Sequence, residues 1–114
     1  MSRSSARHTF AEAAPLFAAL GDETRLRLLS RLSSEGPLSI TRLSDGSDIT
    51  RQAVTKHLHA LAHAGLVRDA QSGRERIWQL EPRRVEKARR CLDQISEQWD
   101  EALGRLRELV EREP

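Results

Sequence analysis

The apolar positions of the chain change rhythm several times, and each change marks an element. Residues 1–8 show no apolar period and read as a flexible N-terminus. From Thr9 to about Leu20, Phe10, Ala13, Phe17 and Leu20 fall near helical spacing, with Pro15 as a late start or a kink. Gly21 breaks the run, and Asp22 is a suitable N-cap for a second helix reaching about Ser34. That helix is expected to turn Leu26, Leu29 and Leu32 inward and Arg25, Arg27 and Arg31 outward, and Gly36-Pro37 ends it. A very short helix follows over about Ser39–Ser44, with Ile40 and Leu43 as its buried face, and Asp45-Gly46-Ser47-Asp48 is a turn by composition. Thr50 caps a stronger helix that reaches Ala64 with Val54, Leu58 and Leu61 inward, and Gly65 stops it.

The period then shortens. Leu66–Ala70 and Arg74–Leu80 are strand-like runs around Gln71-Ser72-Gly73, which predicts a β-hairpin. Glu81-Pro82 starts a last helix over 82–112. There Val85, Ala88, Leu92, Ile95, Trp99, Ala102, Leu106 and Leu109 alternate in steps of three and four, a heptad seam. At about 1.5 Å per residue this rod is about 45 Å long, too long to bury its stripe within so small a chain. A dimer packed through these helices is the economical inference.

Helices followed by a short helix, a tight turn, a capped helix and a hairpin make a winged helix-turn-helix. The expected class is therefore mainly α, with one β-hairpin wing and a long C-terminal dimerisation helix. The expected division is a DNA-binding domain over 9–81 and a dimerisation helix over 82–112.

Composition narrows the function. With 114 residues, 38% hydrophobic and 32% charged, the chain has room for one modest core. No stretch approaches the ~20 apolar residues of a membrane span and no signal-peptide run opens the chain, so a cytoplasmic protein is expected, without a membrane role. The single cysteine, Cys91, excludes an intramolecular disulfide and a Cys-based zinc finger. The net charge of +2 is a sum of opposites: +3 over residues 1–80, +3 over 81–92 and −4 over 93–114.

On the helix from Thr50 to Ala64, Gln52, Lys56, His59 and His63 lie nearly opposite the apolar face, with Arg51 and Thr55 toward one flank. Gln suits adenine, Arg suits guanine, and Thr or Lys suits base edges or phosphate. An ordinary surface helix shows the same split, but not with this short helix before it and this hairpin after it. Arg74 and Arg76 at the hairpin suit the phosphate backbone or the minor groove. The candidate DNA-binding residues are thus Thr50, Arg51, Gln52, Thr55, Lys56, His59, Arg74 and Arg76, and the partner is double-stranded DNA. The candidate dimer contacts are Phe10, Phe17, Leu92, Ile95, Trp99 and Leu106.

Four blocks carry a family resemblance: Leu20–Leu29 (LGDETRLRLL), Thr50–Leu58 (TRQAVTKHL), Ala64-Gly65-Leu66-Val67 and Gly73-Arg74-Glu75-Arg76. Together they resemble the ArsR/SmtB family of bacterial repressors over about residues 9–82. The resemblance implies a homodimer built on the first and last helices, an inverted-repeat operator near a promoter, and repression relieved by an effector. The family's metal-sensing members often carry a Cys-x-Cys pair on the short helix, where this chain has Ser39 and Thr41. Others use Asp and His on the last helix, where residues 82–114 contain no His. No metal site and no cofactor are therefore expected, and the effector is left unidentified. The alternatives are a metal- or redox-responsive member using His59 and His63 or Cys91, and a dimeric protein-interaction module. His57, at the edge of the apolar face, reads as a half-buried, hydrogen-bonded structural residue. No phosphate loop, nucleophile elbow or catalytic triad spacing is present, so an enzyme is not expected.

Overall fold

The computed structural model describes residues 3–46 and 48–112, the first six of these by their backbone alone. Five helices and three strands follow in the order α1 (Arg3–Leu20), α2 (Glu23–Glu35), β1 (Leu38–Ser39), α3 (Ile40–Ser44), α4 (Arg51–His63), β2 (Val67–Ser72), β3 (Glu75–Leu80) and α5 (Pro82–Arg112). The result is a mainly helical winged helix-turn-helix with a β-hairpin wing and a long last helix.

Capping defines the helix starts. The Asp22 carboxylate accepts from the Arg25 amide at 3.1 Å, Ser39 Oγ from the Arg42 amide at 3.2 Å, and Thr50 Oγ1 from the Ala53 amide at 3.1 Å. Each satisfies a backbone donor that the first turn leaves unpaired. At the other end of α4, the Gly65 amide donates to the Ala62 carbonyl at 2.9 Å and the Leu66 amide to the Leu61 carbonyl at 3.0 Å. That is a Schellman close, and it requires the positive φ of 82° that Gly65 adopts. The Glu81 amide then donates to the Leu66 carbonyl at 2.9 Å, tying the end of the wing to the end of α4.

The core lies where α4 crosses α1, α2 and the sheet. Val54, Leu58 and Leu61 are fully buried, with Leu16, Leu28, Leu32, Leu43, Leu66 and Trp78 around them. From α5 only Ala88 joins this cluster; one helical step on, Cys91 is buried too, at 3% exposure.

Several boundaries and phases differ from the sequence pattern. The first helix begins at Arg3, six residues before Thr9, and Pro15 sits inside it. Each added residue completes a backbone bond once a helix is nucleated, so an apolar period is not needed to extend it. Met1 and Ser2 lie outside the described residues, as does Ser47 of the expected turn. On α2 the inward residues are Leu28 and Leu32, with Leu29 partly covered, whereas Leu26 is 51% exposed. Leu26 lies about 160° around the helix from Leu28 and cannot share its face.

β1 was not expected. It pairs with β3 in an antiparallel register, Leu38 opposite Trp78 and Ser39 opposite Ile77, giving the sheet order β1-β3-β2. The wing turn also shifts: Gln71 and Ser72 belong to β2, Ser72 pairs with Glu75, and the two loop residues are Gly73 and Arg74. Positive φ at Gly73, 63°, and none at Arg74 fits a type II′ turn, whose twist suits a hairpin.

Candidate nucleic-acid interface

The polar side of α4 is built by the burial of its opposite side. With Val54, Leu58 and Leu61 sealed in the core, Arg51, Gln52, Lys56, His59 and His63 are all exposed. Among the described residues, the side chains of Gln52 and Lys56 make no hydrogen bond or ion pair within the chain, so they are left facing solvent.

Other sequence-predicted residues are already partly committed. Thr50 Oγ1 is the N-cap, leaving its hydroxyl proton and remaining lone pair. Thr55 Oγ1 donates to the Arg51 carbonyl at 2.8 Å and the residue is half-buried, which suits it to the flank. The His59 ring stands 5.7 Å from the ring of Trp78 at an interplanar angle of 48°, so it leans on the base of the wing. Trp78 is itself buried, and its indole N–H has no hydrogen-bond partner among the described residues.

At the wing, Arg74 sits at the exposed turn and Arg76 one step along β3. Arg76 is ion-paired across the hairpin with Asp69, which neutralises much of its charge. The Arg51 guanidinium donates to Thr41 Oγ1 at 3.2 Å. Arg51, Arg74 and Arg76, separated in sequence, thus line one cleft between the start of α4 and the wing. The eight predicted DNA contacts therefore fall into three groups: exposed side chains on α4, residues that shape α4, and arginines gathered at its junction with the wing.

Two supporting contacts were not legible in the spacing. Arg25, expected to face outward, donates from Nε to His57 Nδ1 at 3.2 Å and from its guanidinium to the Ala19 carbonyl at 3.3 Å. His57 Nδ1 also lies 3.8 Å from the Asp22 carboxylate. This cluster joins the end of α1 and the start of α2 to α4, and it gives His57 the half-buried, hydrogen-bonded role its position suggested. Arg31 in turn donates to the Arg42 carbonyl at 3.0 Å and the Leu43 carbonyl at 3.3 Å, closing the end of α3. It is held there by Glu35, which bonds its Nε at 2.8 Å. The hydrogen bond raises the pKa of Arg31 and lowers that of Glu35. Four-residue spacing of Arg31 and Glu35 was the available signal for the pair, but nothing in it pointed to α3.

Ser39 and Thr41, the positions where metal-sensing relatives are expected to carry thiolates, instead cap α3 and bind Arg51. Among the described residues, no group of three or more His, Cys, Asp or Glu is placed to hold a metal ion, and no helix is long and apolar enough to cross a membrane.

The predicted dimer residues divide along α5. Its root packs against α1 of the same chain, with Ala88 and Cys91 buried and Lys87 Nζ bound to the Glu12 carboxylate at 2.9 Å. Cys91 therefore lies on the flank of the apolar stripe that is covered within the chain. Beyond it, Leu92, Ile95, Trp99 and Leu106 are exposed, and so are Leu103, Leu109 and Val110, which widen the bare stripe. Phe10 is 38% exposed, while Phe17 is partly covered by the core.

Known proteins carry the same arrangement. Residues 20–70 match a family model described as a helix-turn-helix domain. The chain is 36% identical over 95 residues to the HTH-type transcriptional regulator Rv2034 of Mycobacterium tuberculosis, spanning 83% of this chain and 85% of that protein. It is 34% identical over 67 residues to the arsenical resistance operon repressor of Escherichia coli, spanning 59% and 57% of the two chains. Among solved structures, an ArsR-like transcriptional regulator from Rhodococcus sp. RHA1 superposes with a TM-score of 0.73 at 36% identity, covering 90% of this chain and 95% of that one.

Proposed function

Because this chain belongs to the ArsR family of helix-turn-helix transcriptional regulators, and is not an enzyme, we propose that it acts as a homodimeric repressor that binds an inverted-repeat operator. The observation that carries this reading is the division of α4 into a wholly buried apolar face and an exposed face of Gln52, Lys56 and His59. A helix that is fixed by its own core and keeps uncommitted donors and acceptors outward is what major-groove reading requires. In this reading Gln52 reads base edges, Arg51, Lys56, Thr50 and Thr55 hold register on the backbone, and His59 works at the junction with the wing. Arg74 and Arg76 serve the backbone or the minor groove.

Residues 9–81 then form the DNA-binding unit and 82–112 the dimerisation helix. The bare stripe of Leu92, Ile95, Trp99 and Leu106, with Phe10 and Phe17 beside α5, is the contact with a second copy. Two such copies place two α4 helices on half-sites about one DNA turn apart, ~34 Å. The protein works in the cytoplasm, where its DNA is.

Fluorescence anisotropy tests this with the full chain, a duplex from its own promoter region and a random duplex, over a series of salt concentrations. A promoter preference that persists as salt rises supports the regulator reading. Equal affinity for both duplexes at every salt concentration ends it. Equal affinity together with retained dimerisation would leave a protein-interaction module.

A further inference from the structure

The start of α4 and the wing tip converge on one cleft of about 160 Å³, lined by Arg51, Arg74, Arg76, Thr41 and Glu75 among others. The three guanidiniums there are not equivalent. Arg76 already has a carboxylate, that of Asp69. Arg51 has only a neutral partner, Thr41 Oγ1 at 3.2 Å, which takes one of its five N–H donors and orients the rest. Among the described residues Arg74 makes no hydrogen bond or ion pair. Two arginines on different elements therefore line one small cleft, and although Glu75 lines it too, no carboxylate is bound to either guanidinium among the described residues.

We propose that this cleft grips a single DNA backbone phosphate, shared between Arg51 of α4 and Arg74 of the wing. The inference rests on α4 and the wing forming the DNA interface, and it names the ligand of their junction. Guanidinium forks match phosphate oxygens in a bidentate geometry, and an anion between them removes the mutual repulsion of the two cations. The cleft has room for one phosphodiester and not for a run of them. Sharing the phosphate pins the recognition helix and the wing to the same point of one strand, so the major-groove and flanking contacts are set in register together. Arg76 contributes less, because Asp69 already balances it.

Counterion release separates a shared phosphate from two independent ones. Each phosphate neutralised on duplex DNA contributes about 0.9 to the slope of log affinity against log salt. The full-length protein, Arg51→Ala, Arg74→Ala and the double variant are titrated against a duplex selected from a random pool. A shared phosphate predicts that the double variant loses about 0.9 of slope per half-site, with the two single losses in affinity combining less than multiplicatively. A loss of about twice that slope, with multiplying affinity losses, means two separate phosphates and overturns the proposal. Slopes unchanged in all variants overturn it as well, while leaving the wild-type preference for the selected duplex intact. A wild-type protein without that preference would bring down the parent reading and this one together. Single methylphosphonate replacements along the duplex give a second readout that does not depend on slopes. One position per half-site is expected at which both single variants blunt the wild-type loss, and different positions for Arg51 and Arg74 would overturn the proposal.

Discussion

α4 and the outer half of α5 are both amphipathic helices, yet they meet opposite fates. In α4 the apolar stripe of Val54, Leu58 and Leu61 is sealed inside the chain, and the polar face is what remains to offer. In α5 beyond Ile95, every described residue but Ala102 is exposed, so the apolar face is what remains. The two helices carry the same kind of pattern; what differs is whether the chain can supply a partner surface. A stripe satisfied within the chain leaves the polar face to solvent, and an unsatisfied stripe leaves the apolar face there.

Substitutions on the two stripes sharpen this contrast. The largest expected effect is on the sealed one: Leu58→Ala should lower unfolding free energy by about 2–5 kcal/mol, read as a fall in the urea midpoint. A loss below ~1 kcal/mol would mean that the core does not depend on α4 packing. On the bare stripe, Trp99→Glu should leave each chain folded by circular dichroism but convert dimers to monomers in sedimentation. An unchanged sedimentation profile would show that this stripe is not the contact between copies.

On the polar face of α4, Gln52→Ala should cost ~1–3 kcal/mol on the selected operator and little on random DNA, narrowing the gap between them. Equal losses on both duplexes would remove Gln52 from the base-reading set. The smallest effect concerns the ion pair behind α3. Because Arg31 depresses the Glu35 pKa, the pair's contribution is complete above the usual carboxylate range and is lost as pH falls through the lowered value. Glu35→Gln should therefore unfold slightly more easily than wild type at neutral pH, with the gap closing in acid. A gap that widens in acid would contradict the direction of that shift.

What the sequence made legible was whatever rests on local periodicity. The α4 stripe, its Thr50 cap, its Gly65 stop and the heptad positions of α5 all follow from spacing and from the backbone needs of single residues. Contacts set by a distant partner were not legible. Two residues, Leu38 and Ser39, are too few for a period and become a strand only because β3 lies beside them. Leu26 and Leu28 were exchanged because an Arg- and Leu-rich helix offers several plausible phases, and only the surrounding core selects one. The same holds for the interface. Exposed residues on α4 could be named from the helix alone, but the Asp69 hold on Arg76, the Trp78 contact of His59 and the Thr41 hold on Arg51 each join segments far apart in sequence.

The close of α4 also has a mechanical meaning. A Cβ built at Gly65 would stand 3.1 Å from the Arg84 side chain, so the root of α5 is laid directly across the end of the recognition helix. The bond from the Glu81 amide to the Leu66 carbonyl fixes the same joint from the other side. α5 therefore behaves as a lever whose fulcrum is the end of α4. With about 40 Å of rod from the joint to Arg112, a tilt of a few degrees at the fulcrum moves the far end by a few ångströms. In a pair of chains joined along these rods, the angle between the rods and the separation of the two recognition helices would be one mechanical variable. Anything that changed how the rods cross would change the spacing of the DNA the pair can grip.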